Sequence, residues 1–361
     1  MYVPSKIVFS PRKNRRAIAF HVLIAFAFVI VPVVLQAQTS VSERPVPILT
    51  GSAGFFTKVD GGATELAPVI SPVLLLPVGD RWLVEARGSF EGDFARKNGD
   101  GPYGGTVEKE VDYAQLDFIA NRYLTVTAGR FLTPFGIYNE RLYPIWIRTL
   151  QREPLIFPIA TEASNGLMLR GGFELNSKAN LNYAAYFSTL STVNKLESDR
   201  AAGGRIGFFF PGPKIEIGAS FRQQLQEERA RSAGFHFAWQ PTGTPLNLRS
   251  EYAWSGDQGS GYWIEAAYRL NQIPVWTSAM RHLEVAGRMQ QFFGHVDEDE
   301  AEEYGLPETN TQQVDFGVNY YFMDGLKATA SYGREFSSAG NANLWTIGVA
   351  YRFVLPLGRV K

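Results

Sequence analysis

Among the side chains able to carry chemistry, the 361-residue chain offers four histidines, His21, His236, His282 and His295, and no cysteine. None of the histidines has a partner at a metal-ligand spacing, and there is no G-x-S-x-G elbow, P-loop or dinucleotide fingerprint. A lipase-like constellation would have to gather distant Ser, His and polar residues in space, with nothing in the spacing to announce it. The reading is no enzyme and no cofactor. What does recur at a fixed spacing is charge. In "KIEIGASFR", Lys214 to Arg222, ionic and small polar residues alternate with Ile215, Ile217, Ala219 and Phe221. The chemistry open to residues placed this way is electrostatic selection, in which basic rings favour anions and acidic rings favour cations.

The elements that position these charges follow from periodicity. Helical spacing would put Ile215, Gly218, Ala219 and Arg222 on one mixed face, whereas period two sorts the stretch without error. The pattern returns in "QVDFGVNYYF", "LWTIGVAYRF" and "YWIEAAYRL", whose apolar sets are large and often aromatic. Read through the chain, it predicts about sixteen strands of roughly ten residues each. Their expected spans are 50–59, 66–76, 82–93, 109–120, 123–132, 164–175, 181–190, 201–210, 215–226, 231–240, 246–256, 260–270, 280–292, 311–322, 326–336 and 343–354. The second is the least regular, since "APVISPVLLL" is apolar on both faces and holds two prolines. Tight links such as "ANRY", "NSKAN", "PGPK" and "MDG" alternate with longer connections, "NQIPVWTSAM" being the departure. Short on one rim and long on the other is the plan of an all-β transmembrane antiparallel barrel, with both termini on the short-turn rim.

Alternation alone would also fit a soluble β-sandwich or lipocalin-like barrel with its apolar face inward. Lipid is favoured by strand length, by polar faces rich in glycine and in charges of both signs, and by aromatics at strand ends. Those aromatics, including Trp82, Phe90, Tyr123, Trp239, Trp254, Tyr262, Tyr320, Trp345 and Phe353, would form interfacial girdles. Hydrocarbon cannot satisfy a free backbone N–H or C=O, so the sheet must close, and a barrel of about sixteen strands encloses a water-filled channel.

The N-terminus supplies an address. Lys6, Arg12, Lys13, Arg15 and Arg16 precede an apolar run, Ala17 to Leu35, and Ala37 in "LQAQ" follows it. These are the parts of an export signal over residues 1–37, leaving 38–361 as the barrel domain; an uncleaved anchor is the alternative. The balance of 35 Lys and Arg against 35 Asp and Glu leaves no footprint for nucleic acid.

On this assignment the polar faces carry Arg87, Arg170, Arg205, Lys214, Arg222, Arg249, Arg269, Arg288 and Arg352 as pore-lining residues, with Lys327 beside them. They also carry Glu85, Glu91, Glu174, Glu216, Glu251, Glu265, Glu284, Asp117 and Asp315. Two readings stand: a transverse field of neutralising pairs in a general diffusion pore, or a true preference for anions. The long connection Pro134 to Asn165, rich in apolar residues, is expected to fold into the barrel. It would place Glu140, Arg141, Arg148 and Arg152 at the constriction, with Glu153 as a further counter-charge; a self-packed external cap is the alternative.

The stretch "AGRFLTPFGIYNERLYP", Ala128 to Pro144, with "GRFLTPFG" at its centre, resembles the phosphate-selective porin O and P family of Gram-negative bacteria. The resemblance implies a sixteen-stranded, usually homotrimeric outer-membrane porin with an inward-folded loop, surrounded by outer-membrane lipid and lipopolysaccharide and passing small hydrophilic solutes or anions. Members of that family have a lumen rich in lysine and arginine. Here acids match bases on the same faces, so phosphate specificity is not carried over. The acidic run "DEDEAEE", Asp297 to Glu303, reads as a solvated loop tip or as a site for bridging cations. A non-conducting structural or adhesive barrel is the competing role.

Overall fold

The computed structural model describes residues 46–96, 101–161, 163–226, 229–294, 296, 301, 305–338 and 340–357. The expected export signal, His295 and almost all of the acidic run lie outside the described residues.

Sixteen antiparallel strands close into one barrel. They are β1 (Ile48–Asp60), β2 (Ala63–Val78), β3 (Trp82–Arg96), β4 (Tyr103–Asn121), β5 (Leu124–Leu132), β6 (Ala163–Asn176), β7 (Ala179–Ser188) and β8 (Ala201–Phe210). The second half comprises β9 (Ile215–Gln224), β10 (Arg231–Trp239), β11 (Leu246–Ser255), β12 (Gly259–Arg269), β13 (Leu283–Phe293), β14 (Thr311–Met323), β15 (Leu326–Ser337) and β16 (Gly340–Pro356). Each strand pairs with its neighbour in sequence, and β1 pairs with β16 from Ile48↔Pro356 to Asp60↔Leu344. No edge is left, which is the condition hydrocarbon imposes. Ile48 and Pro356 also bring the two ends of the barrel chain to the rim that carries the short links.

Period two sorts the faces as the alternation predicts. On β9, Ile217 and Phe221 are exposed while Ser220 and Arg222 are buried. On β14, Phe316 is 63% exposed whereas its neighbour Asp315 is 3% exposed. Trp345, Ile347, Val349 and Tyr351 make an exposed row on β16, with Thr346 and Ala350 buried between them. An apolar surface running around a closed sheet would be costly in water and is at home in lipid.

The proline-bearing stretch forms a full strand, β2, because the prolines fall where the ladder can spare a donor. The β2–β3 register passes from Leu66 to Val69 and from Ile70 to Val73, skipping Pro68 and Pro72. Pro72 faces Gly51 of β1, where a Cβ would stand 2.9 Å from the Pro72 Cα. On the short-turn rim, the β12–β13 connection remains long, holding a 3-10 turn at Leu270–Gln272 and a helical turn at Thr277–Met280.

Candidate functional site: the 133–161 segment and the charged face

After β5 the chain leaves the sheet at Thr133 and returns at β6, and the stretch between is built around backbone donors. Gly136 has φ +64°, and a Cβ there would meet Glu251 Oε1 at 2.3 Å, so only glycine fits. Glu251 of β11 accepts from the backbone N–H of Ile137 and, at 2.9 Å, from that of Tyr138; its second oxygen accepts from Trp263 Nε1 at 3.0 Å. The next turn, Tyr138–Leu142, is π-helical. Asn139 Nδ2 then donates to the carbonyls of Thr133 and Thr161, each at 3.0 Å, tying the start of the segment to its end.

Packing holds the rest. Phe135, Ile137, Tyr138, Leu142, Ile156 and Ile159 are buried against Trp263 of β12 and Phe292 of β13, while Ile145 and Trp146 pack with Phe56, Val69 and Ala350 of β1, β2 and β16. Polar contacts go to further strands. Thr149 Oγ1 donates to Glu265 and accepts from Arg249 Nη2 at 3.0 Å. Asn319 Nδ2 donates to the Thr149 carbonyl at 2.9 Å and Lys327 Nζ to that of Arg148 at 2.5 Å. Arg288 Nη2 reaches the Arg152 carbonyl at 2.8 Å, and Gln290 Oε1 accepts from Leu155 N at 2.9 Å. One segment therefore touches the polar face of strands distributed around the barrel.

Within the segment every charged residue has a counter-charge. Glu140 lies 2.6 Å from Arg205, which also donates to the Gly136 carbonyl at 2.7 Å. Arg141 meets Glu216 at 2.7 Å, Arg148 meets Glu153 at 2.8 Å, and Arg152 meets Asp60 at 3.3 Å. Burial works against the Arg141 charge, but the Glu216 hydrogen bond and field outweigh it, so its pKa is raised and it stays protonated. Arg148 spends its donors internally, on the carbonyls of Tyr143 and Gln151 and on Glu153. Two guanidiniums, those of Arg87 and Arg148, each lie 4.9 Å from the Tyr143 ring centroid. Burial pushes the Tyr138 phenol up to about 12 and raises Tyr143 as well, so both rings are neutral partners.

The strand-borne bases are paired too. Arg87 contacts Asp112 at 2.8 Å, Arg222 contacts Asp199 at 2.5 Å and Arg249 contacts Glu265 at 2.5 Å. Arg288, almost fully buried, lies 3.5 Å from Asp315 and 3.8 Å from Glu265. Arg170 faces Asp117 at 3.8 Å. Near the short-turn rim, Arg269 lies 3.7 Å from Glu284 and covers the Tyr321 ring, and Arg352 pairs with exposed Asp324 at 2.9 Å. Lys214 is different: it sits in the exposed turn before β9 with φ +53°, between the strand and the donor-poor Pro211 and Pro213. His236 is buried with Nε2 3.6 Å from Glu216, and His282 accepts from Arg281 on the short-turn rim.

Alternation misses one partner altogether. Strict period two from Asp117 would turn Val111 and Tyr113 to the polar face and Asp112 away from it. The register slips between Arg87↔Tyr113 and Gly88↔Val111, leaving Asp112 as the extra residue of a bulge and delivering its carboxylate to Arg87 and to Ser89 Oγ. Lys58, between Glu65 and Glu91, is a second unpredicted member; its place in "GFFTKVD" opposite exposed Phe55 is the signal that could have found it.

Open space remains beside the segment. A cavity of about 380 Å³ lies between residues 143–155 and strands β1–β3 and β14–β16. A smaller one of about 130 Å³ is lined by Glu85, Tyr113, Gln115, Leu132, Glu140, Met168 and Arg170.

No family model and no curated protein matches the chain. Solved structures do. OmpF of Salmonella typhi, in complex with daunomycin, superposes with a TM-score of 0.58 at 13% identity, over 85% of this chain and 97% of its own. OprB of Pseudomonas putida gives 0.56 at 8% identity, over 85% and 92%. An anion-selective porin from Comamonas acidovorans gives 0.51 at 11% identity, over 86% and 99%. Identities this low speak to fold, and do not show membership of the phosphate-selective O and P family. The chain has the closed sixteen-strand fold of Gram-negative outer-membrane porins.

Proposed function

We propose that this chain is an outer-membrane porin, a water-filled channel for passive diffusion of small hydrophilic solutes. One observation carries the reading: one face of the closed sheet bears exposed apolar side chains on every strand but β5, and the other is ionic and hydrogen-bonded. A surface of that kind suits lipid outside and water inside. Outer-membrane lipid and lipopolysaccharide would cover the apolar belt, residues 1–37 would direct export, and a homotrimer is proposed on the family resemblance alone. Residues 133–161 are the proposed constriction, supported by their contacts with polar-face side chains from β1, β8, β11, β13 and β15.

A preference for phosphate or other anions is not part of the proposal. Such a preference needs unneutralised positive charge, and Arg141, Arg148 and Arg152 each lie against a carboxylate. The test is reconstitution of the purified, folded protein in planar lipid bilayers, where a porin gives stepwise conductance. The second reading, a non-conducting surface barrel, is favoured by how closely residues 133–161 pack against the strands, and complete absence of steps would establish it over the first.

A further inference from the structure

The space left beside residues 133–161 carries an unbalanced charge, a point that rests on the channel reading above. Around the larger cavity three guanidiniums are matched one to one: Arg87 by Asp112, Arg148 by Glu153 and Arg152 by Asp60. Lys58 is shared by two carboxylates, Glu65 at 2.9 Å and Glu91 at 3.3 Å. Glu335 lines the same cavity and has no ion-pair or hydrogen-bond partner among the described residues. The smaller cavity repeats the imbalance. Arg170 faces Asp117, Arg205 faces Glu140, and Glu85 has no such partner among the described residues. A base that could offset this, Lys327, is fully buried with its amine on the Arg148 carbonyl.

A matched guanidinium and carboxylate form a dipole whose field fades quickly, whereas a lone carboxylate acts over a Debye length of about 10 Å at 0.1 M salt. An ion passing about 4 Å from a unit charge in water-like surroundings gains or loses about 1 kcal/mol, roughly a fivefold weighting. We propose that the passage selects small hydrophilic cations, inorganic or amine-bearing, over anions, and that Glu85 and Glu335 are its specificity-determining carboxylates. This is the opposite sign to the one the arginines suggest in sequence.

The experiment measures reversal potentials of the full-length, folded protein in planar bilayers under a potassium chloride gradient, for the parent, Glu85→Gln, Glu335→Gln and the double variant. Among the described residues neither side chain makes a hydrogen bond or ion pair, so the variants should keep the parent's strand circular dichroism and insertion yield. The expected result is a potassium-to-chloride permeability ratio well above one, falling at least roughly fivefold with each glutamine and approaching one in the double variant. A ratio at or below one overturns the inference while leaving the channel intact. So does a cation preference that neither variant moves. Absence of conductance in the parent, by contrast, removes the channel reading itself.

Discussion

Glu251 is where the 133–161 segment is pinned to the wall, and its removal is the sharpest test of the architecture. Its two oxygens take the N–H groups of Ile137 and Tyr138 and the indole N–H of Trp263, all three in a buried setting. A buried donor left without an acceptor costs about 1–3 kcal/mol. Glu251→Ala strands three, so the bound position of the segment should lose about 3–9 kcal/mol less whatever water recovers. Glu251→Gln can keep its carbonyl towards the two backbone groups but turns its amide NH2, a donor, towards the indole N–H, stranding one donor, or about 1–3 kcal/mol. The order expected is therefore parent, Gln, Ala. Two assays read it independently. Trypsin should cut the Ala variant at Arg148 and Arg152 under conditions that spare the parent, and, on the proposed constriction, single-channel conductance should rise as the segment is released. If Glu251→Ala kept both the parent's resistance to trypsin and its conductance, the carboxylate would not be the anchor and the constriction would need another basis.

The other expectations follow from single contacts. Gly136→Ala forces a side chain into φ +64° and onto Glu251, costing about 1–3 kcal/mol of strain and lowering folded yield on refolding into detergent. Phe316→Arg puts a charge on the exposed face and should destabilise the barrel by about 2–4 kcal/mol if that position lies near the bilayer midplane, read by equilibrium unfolding in lipid; an unchanged midpoint would argue against lipid there. Arg288→Met leaves Asp315 and Glu265 short of a buried cation and should cost about 3–5 kcal/mol in the same assay. Neutralising Arg141, Arg148 and Arg152 together should unmask Glu216, Glu153 and Asp60 and move reversal potentials further towards cations; unchanged potentials would take these residues out of the ion path.

Much of the barrel was legible in the chain because a strand's two faces are set by a local rule. Ile217 and Phe221 against Ser220 and Arg222 can be sorted with no knowledge of any partner, and most strands begin and end within a few residues of the alternation. Even "APVISPVLLL", apolar on both faces, runs as a strand, for a reason visible only in the pairing that skips its prolines. The charged site was legible only as a set of residues on one face. Its bookkeeping depends on neighbours far along the chain: Glu251 serves Ile137 from 114 positions away, and Arg288 reaches the Arg152 carbonyl across 136. Asp112 could not be placed by alternation at all, since one inserted residue in the β3–β4 ladder reverses the parity on which alternation depends. The sequence by itself thus determined that this chain makes amphipathic strands and which face of each is polar, because side-chain direction in a strand repeats every two residues. Only the tertiary structure decided which charges cancel and which are left over, because an ion pair is fixed by distance in space and closure of the barrel brings together residues that no local period relates.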